Sequence, residues 1–316
     1  MQNRTRFRNF SWIALGLTLA VIVGGGFVRA TGSGAGCGSH WPLCNGEVVP
    51  LAGNVKTLIE YSHRITSGVV MVLSVVQLVW SRRLFAPGHR VRRAAAFSLF
   101  FMMTEALVGA GLVLFEYVAD NVSLARAVWM GAHLLNTFLL VAAMTITAHW
   151  AHRDEPLQTQ GRTGPKALLA LGYLGLLAVG ITGAIAALGD TLFPATSLAE
   201  GLAHDFSPTA HFLVRLRVTH PLLALGTAAY LLVLAHFFAQ RGKAMRRAAQ
   251  VLQASVILQV AAGFVNLLLL APVSMQMVHL VLADVLWIAF VLFGLTTLET
   301  APSVGTTDAA VAKAAT

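Results

Sequence analysis

Charge is scarce in this chain. Asp, Glu, Lys and Arg make up 11% of its 316 residues, against about 25% in an ordinary soluble domain. Apolar residues reach 57% and mean hydropathy is +0.72, which excludes a soluble globular protein. Cysteine is scarcer still. Only Cys37 and Cys44 occur, both in one loop, so no cysteine is available to complete a zinc site elsewhere. The 13 acidic residues are outnumbered by 22 basic ones, a net charge of +9 that would suit a nucleic-acid partner if it formed one basic surface. It does not.

What the sequence has is long apolar runs, near 10–29, 58–80, 94–116, 123–149, 166–188, 211–239, 246–271 and 275–298, each of bilayer-spanning length. Arg4, Arg6 and Arg8 precede the first span; Arg82, Arg83, Arg90, Arg92 and Arg93 follow the second. Arg153, Arg162 and Lys166 follow the fourth, and Arg241, Lys243, Arg246 and Arg247 the sixth. The alternate loops carry Glu47, Glu116, Asp120, Asp190, Glu200 and Asp205 instead. Lys and Arg gathered in alternate loops mark the cytoplasmic side. The expectation is an all-α, multi-pass protein of the plasma membrane, surrounded by lipid bilayer, with both termini cytoplasmic and no nucleic-acid partner. The first span is long for a signal-peptide core and is read as retained. Residues 301–316, small, polar and Ala-rich, read as a disordered cytoplasmic tail.

The second span opens with "IEYSHRITSGVV", residues 59–70, which places Glu60, His63 and Arg64 in its first two turns. Ionisable groups at such depth are costly and mark functional sites. Of eleven histidines, most fall in loops or at span ends. His63, His133, His220 and His279 do not: each lies on a different even-numbered span, one to two turns below its outer end. At 1.5 Å per residue that is roughly 5–10 Å deep. A lone intramembrane histidine is more often a packing residue; four at matched depth point to ligation.

The spacing repeats. His63 and His220 are 157 positions apart, as are Gly26 and Gly183, and Gly32 and Gly189. Glu105 and Gly109 recur as Gln259 and Gly263 at an offset of 154. The chain therefore reads as two pseudo-symmetric four-helix bundles in the same orientation, with boundaries at 1–155 and 156–300. Each half contributes a pair: His63 with His133, and His220 with His279. Heme suits paired imidazoles on facing helices; zinc needs three or four ligands close together. Gly24, Gly25, Gly26, Gly109 and Gly111 would let a flat macrocycle approach the backbone, although close helix packing accounts for them equally well. Arg29, Arg64, Arg126, Arg215 and Arg217 gather at the outer rim as candidate propionate partners, with snorkelling the plainer alternative.

The halves differ beside the histidines. Glu60 stands three residues before His63, and Arg217 three before His220, so the first half has a carboxylate beside its site and the second has none. A Glu60–Arg64 helical ion pair is the plain reading; a proton-handling group is the functional one. The loop "GCGSHWPLCNG", residues 36–46, lies outside, where disulfides persist. Its two cysteines are open to three readings: a redox partner or lid, a structural clip, or, with His40, an incomplete metal site.

The segments "GGGFVRATGSGAGCGSHWPLCNG", "IEYSHR", "HLLNTFLLVAA", "RLRVTHP" and "HLVLADVLWIA" together resemble the heme A synthase family across all eight spans. The resemblance implies an oxidoreductase that converts a methyl group of heme O to the formyl group of heme A, for use in terminal oxidases. It implies heme B as cofactor on His220 and His279, substrate heme O between His63 and His133, and Glu60 as the catalytic acid–base group. It also implies a Cys37–Cys44 disulfide. Heme O synthase and a membrane or soluble electron carrier are the implied partners, and the pattern is compatible with an oligomer. One departure stands out: the loop "GDTLFPATSLAEGLAHDFSPTAHF" lacks the second cysteine pair of some members. A bis-heme electron-transfer cytochrome would usually place hemes near both membrane faces, whereas all four histidines lie near one. A heme transporter would need a polar inner path, which Glu105, Gln259 and Asp284 barely supply.

Overall fold

Backbone polar groups have no water to bond within a bilayer, so a chain of apolar runs closes its hydrogen bonds inside helices. The computed structural model, which describes residues 2–51, 53–152 and 163–300, follows that rule. Its helices are α1 (Gln2–Ala30), α2 (Val55–Leu84), α3 (Arg90–Leu114), α4 (Leu124–Trp150), α5 (Thr163–Leu192), α6 (Leu198–Asp205), α7 (Phe212–Leu216), α8 (Thr219–Ala239), α9 (Lys243–Leu268) and α10 (Val273–Thr300). Among the described residues, eight segments are long and apolar enough to cross a membrane, α7 and α8 together making the sixth. All eight expected spans are present. The 155/156 boundary, Arg153, Arg162 and the 301–316 tail lie outside the described residues.

Contacts arrange the long helices in two groups. α1 packs on α2, α2 on α3 and α3 on α4, with α1 touching α4; α5 packs on α8, α8 on α9 and α9 on α10, with α5 touching α10. Between the groups, α1 and α4 both meet α5 and α10. α4 and α10 are accordingly the most enclosed spans, each half buried over its most apolar window. Trp287 on α10 joins the groups: its ring stacks on Phe138 of α4 at 4.8 Å, and its Nε1–H donates to the Phe138 carbonyl at 2.7 Å. Tyr173 meets the same indole edge-on at 5.6 Å. Outward positions such as Leu107 and Val128 remain exposed, as lipid-facing residues should.

The sixth span departs from the expected continuous helix. It breaks at Arg217–Val218, between α7 and α8. Pro221 lacks the N–H that a continuous helix would send back to Arg217, and it is tolerated only in a first turn. α8 therefore begins at Thr219, and His220 is its second residue.

Candidate functional site

The outer end of α2 is built against the cysteine loop. Asn54 caps the helix by accepting the Thr57 N–H at 3.0 Å, the role expected of an N-cap side chain. Gly36 comes so close that an added Cβ would lie 2.5 Å from the Lys56 carbonyl carbon, so the loop can seat here only with glycine. Thr57 Oγ1 donates to the Gly36 carbonyl at 2.7 Å. One turn further, Glu60 is 3% exposed. Its Oε2 accepts the Cys37 N–H at 2.9 Å, and its Oε1 accepts Arg64 Nε–H at 3.2 Å as well as Arg64 Nη2. Arg64 Nη1 reaches two loop carbonyls, His40 and Leu43, at 2.7 Å each. The Glu60–Arg64 pair thus exists, but buried and shared with the loop. Cys37 and Cys44 are disulfide-bonded, which removes the Cys37–His40–Cys44 metal reading.

Below this clamp lies a cavity of about 1160 Å³, at or beyond the ~300–1,000 Å³ usual for small-molecule sites. Its walls carry His63, His133, His220 and His279, together with Glu60 and Glu105. Four histidines from four spans meet one space. Glycines seat three of their rings: a Cβ on Gly25 would stand 3.0 Å from the His63 imidazole, on Gly183 2.9 Å from His220, and on Gly263 3.1 Å from His279. Gly109 lines open space, whereas Gly26 packs against Met277 and Leu280, and Gly111 against Trp129. Helix packing therefore accounts for the latter two.

Each pair has its own polar surroundings. His220 Nδ1 lies 3.1 Å from the Val179 carbonyl, a contact that leaves Nε2 the available nitrogen. The His220 and His279 ring centroids are 6.3 Å apart and nearly perpendicular. Gln259 Nε2 lies 3.2 Å from His279 Nε2. In the first pair, His133 Nδ1 lies at ion-pair distance, 3.1 Å, from Glu105 Oε1, and neither it nor the buried His63 Nδ1 makes a hydrogen bond of good geometry among the described residues.

Four of the rim arginines line the cavity, and each has protein acceptors. Arg29 reaches the Ala187 carbonyl and Thr191 Oγ1 at 2.7 Å and Gln276 Oε1 at 2.6 Å. Arg126 donates to the Ala119 and Asn121 carbonyls. Arg64 is described above. Arg217 pairs with Asp190 at 3.1 Å and Asp205 at 2.8 Å. Arg215 is exposed and stands apart from the described cavity wall. The Arg217 pairs correct one expectation. The second half does hold carboxylates at its mouth, because the chain folds α6 back and brings Asp205 beside the end of α5. Both are engaged by Arg217.

A family profile described as cytochrome oxidase assembly protein, COX15-CtaA, matches residues 8–291. The chain belongs to this family, that of the heme A synthases. Proteins from two strains of Thermus thermophilus, both named protoheme IX farnesyltransferase, are 46% identical over 297 residues. Those alignments cover 93% of this chain and 49% of each relative, so the chain spans about half the length of these curated relatives. A Shouchella clausii protein named heme A synthase is 42% identical over 97 residues, 31% of this chain and 32% of its own.

Within this COX15-CtaA member, the sequence marks Glu105 and Gln259 as repeat partners and as sparse polar groups of an inner path. Their contacts with His133 and His279 were invisible to it, because each joins neighbouring helices 20 or more positions apart. The shared offset was the available signal. α6 also went unread, though "SLAE" at 197–200 carries the Ser-x-x-Glu start signature; Ser197 Oγ accepts the Glu200 N–H at 3.2 Å.

Proposed function

We propose that this protein is a heme A synthase, oxidising a methyl group of heme O to a formyl group. The observation that carries this reading is the convergence of His63, His133, His220 and His279 on one cavity whose wall also holds the buried Glu60. Family membership gives it the chemistry. On this reading the chain comprises two pseudo-symmetric halves, 1–155 and 156–300, with both termini cytoplasmic as the basic loops indicate. His63 and His133 hold the substrate heme; His220 and His279 hold heme B.

The residues fit such groups. A centroid spacing of 6.3 Å between His220 and His279 matches one metal between two imidazoles, given metal–nitrogen bonds of about 2 Å. The buried, unpartnered Nδ1 of His63 and the glycine seats leave those rings room to turn toward a ligand. Heme B, when bound, supplies one-electron redox chemistry to the site. The chain supplies position. Arg64 and the Cys37 amide fix the Glu60 carboxylate, and an ionised carboxylate has about four lone-pair sites. The site they leave, on Oε2, is open to a water at the cavity wall. Once electrons and a proton have been withdrawn from the substrate, Glu60 takes a proton from that water as it adds to the activated methyl carbon, a role that requires hydrogen-bond reach. Water provides the oxygen, and electrons and protons leave in equal number, the electrons to a membrane or soluble carrier. The disulfide loop covers the site and is placed to serve as lid or relay.

Heme O synthase is the proposed supplier. Its product is the farnesylated heme used here, and the Thermus relatives carry a farnesyltransferase name over a length twice that of the match. Extraction of hemes from the purified protein tests the reading. Heme B accompanied by heme O or heme A is expected. Heme B alone would favour an electron-transfer cytochrome, and no heme would overturn both.

A further inference from the structure

Glu105 has no part in the chemistry above, yet among the described residues it is the carboxylate that touches one of the four cavity histidines. Its Oε1 lies 3.1 Å from His133 Nδ1. Two neighbours on α4 hold it there: Thr137 Oγ1 donates to Oε1, and Asn136 Nδ2 donates to Oε2 at 2.6 Å. Asn136 is itself fixed, accepting from Thr104 Oγ1 at 2.6 Å and donating to the Phe101 carbonyl at 2.9 Å. The carboxylate therefore has both oxygens tied and holds Oε1 3.1 Å from an imidazole nitrogen that has no other partner among the described residues.

The second half repeats the position without the device. Gln259 replaces Glu105, and the residues three and four beyond His279 are Leu282 and Ala283 rather than Asn and Thr. Gln259 has no such anchors: its Oε1 is buried without a hydrogen-bond partner among the described residues. It meets His279 at Nε2, not Nδ1. An anionic, anchored acceptor thus serves one pair and a neutral, unanchored amide the other. If Glu105 only pinned α3 to α4, Thr137 and Asn136 would suffice as partners and the imidazole contact would be incidental.

We propose that Glu105 is a positioning residue: it orients His133 through Nδ1, presents Nε2 to the iron of the first-half heme, and makes that imidazole the stronger electron donor. This rests on the reading of His133 as a heme ligand. A carboxylate on the remote nitrogen fixes the tautomer and raises ligand basicity. The consequence is a division of labour in which the first-half iron is held more firmly in its ferric state than the second-half iron.

The test is a hemin titration of the full-length protein in detergent, followed by optical redox potentiometry. Wild type should bind hemin as two components. Glu105→Ala should weaken one of them by about 10–100-fold and leave the other unchanged. Glu105→Gln, nearly isosteric and imitating the second half, should raise the midpoint of that same component by about 59 mV for each tenfold preferential loss of ferric binding. Thr137→Val, which only loosens the anchor, should shift it in the same direction by less. Unchanged affinity and potential in both Glu105 variants would overturn the proposal. So would equal shifts of both components alongside a fall in thermal stability, the signature of a merely structural residue. A wild-type protein that binds no hemin would instead defeat the heme reading itself.

Discussion

The Cys37 N–H donates to Glu60 Oε2 at 2.9 Å, which ties the disulfide loop to the buried carboxylate. Arg64 completes the clamp with its bonds to Glu60, His40 and Leu43. Removing one partner of a buried ion pair leaves a charge uncompensated and costs about 3–5 kcal/mol; Arg64 is 13% exposed, which puts Arg64→Ala near the lower figure. Its expected signs are a lower unfolding temperature and faster proteolysis within residues 37–51. A variant as stable and as protease-resistant as wild type would show that the clamp contributes nothing to stability.

The disulfide offers a check of topology as well as of bonding. Alkylation without reductant should leave neither Cys37 nor Cys44 labelled. After treatment of intact cells with a membrane-impermeant reductant, both should label. Labelling without reductant contradicts the bond, and protection after reduction contradicts an outward-facing loop.

The two histidine pairs should be separable. His220→Ala or His279→Ala should lose most of the resident heme B, whereas His63→Ala should retain it. Pyridine hemochrome quantification of the purified variants reads this directly. Equal heme B retention in all three would contradict the assignment of the second pair.

Stability should depend on the joint between the two helix groups. Trp287 is 3% exposed, stacks on Phe138 and donates to its carbonyl. Truncation of a buried aromatic costs about 3–5 kcal/mol, so Trp287→Ala should sharply lower the unfolding temperature followed by fluorescence-detected size exclusion. Trp287→Phe, which keeps the stacking surface but not the donor, should cost much less. Equal effects would place the value of Trp287 in its hydrogen bond alone.

Much of this architecture was legible in the residues. Apolar runs of bilayer length admit few structures, so all eight spans could be read. Four histidines at one depth on alternate spans are hard to account for as packing residues, and all four line the cavity. What escaped depended on contacts between elements. Nothing local to Glu105 names His133 as its neighbour, and nothing local to Asp205 shows that α6 folds back toward Arg217. The break before His220 was locally encoded by Pro221, but a hydropathy window averages over a proline and reports one continuous span.

Conversion of heme O in cells tests the central claim most directly. A host that lacks heme A but makes heme O would express the wild-type chain or Glu60→Gln, and extracted hemes would be separated and quantified. Heme A should accumulate with wild type. With Glu60→Gln it should form about 10²–10⁴-fold more slowly, the usual contribution of a positioned acid–base group, while the variant keeps wild-type heme B content. Unconverted heme O in cells holding folded, heme-loaded wild-type protein would contradict the proposed function.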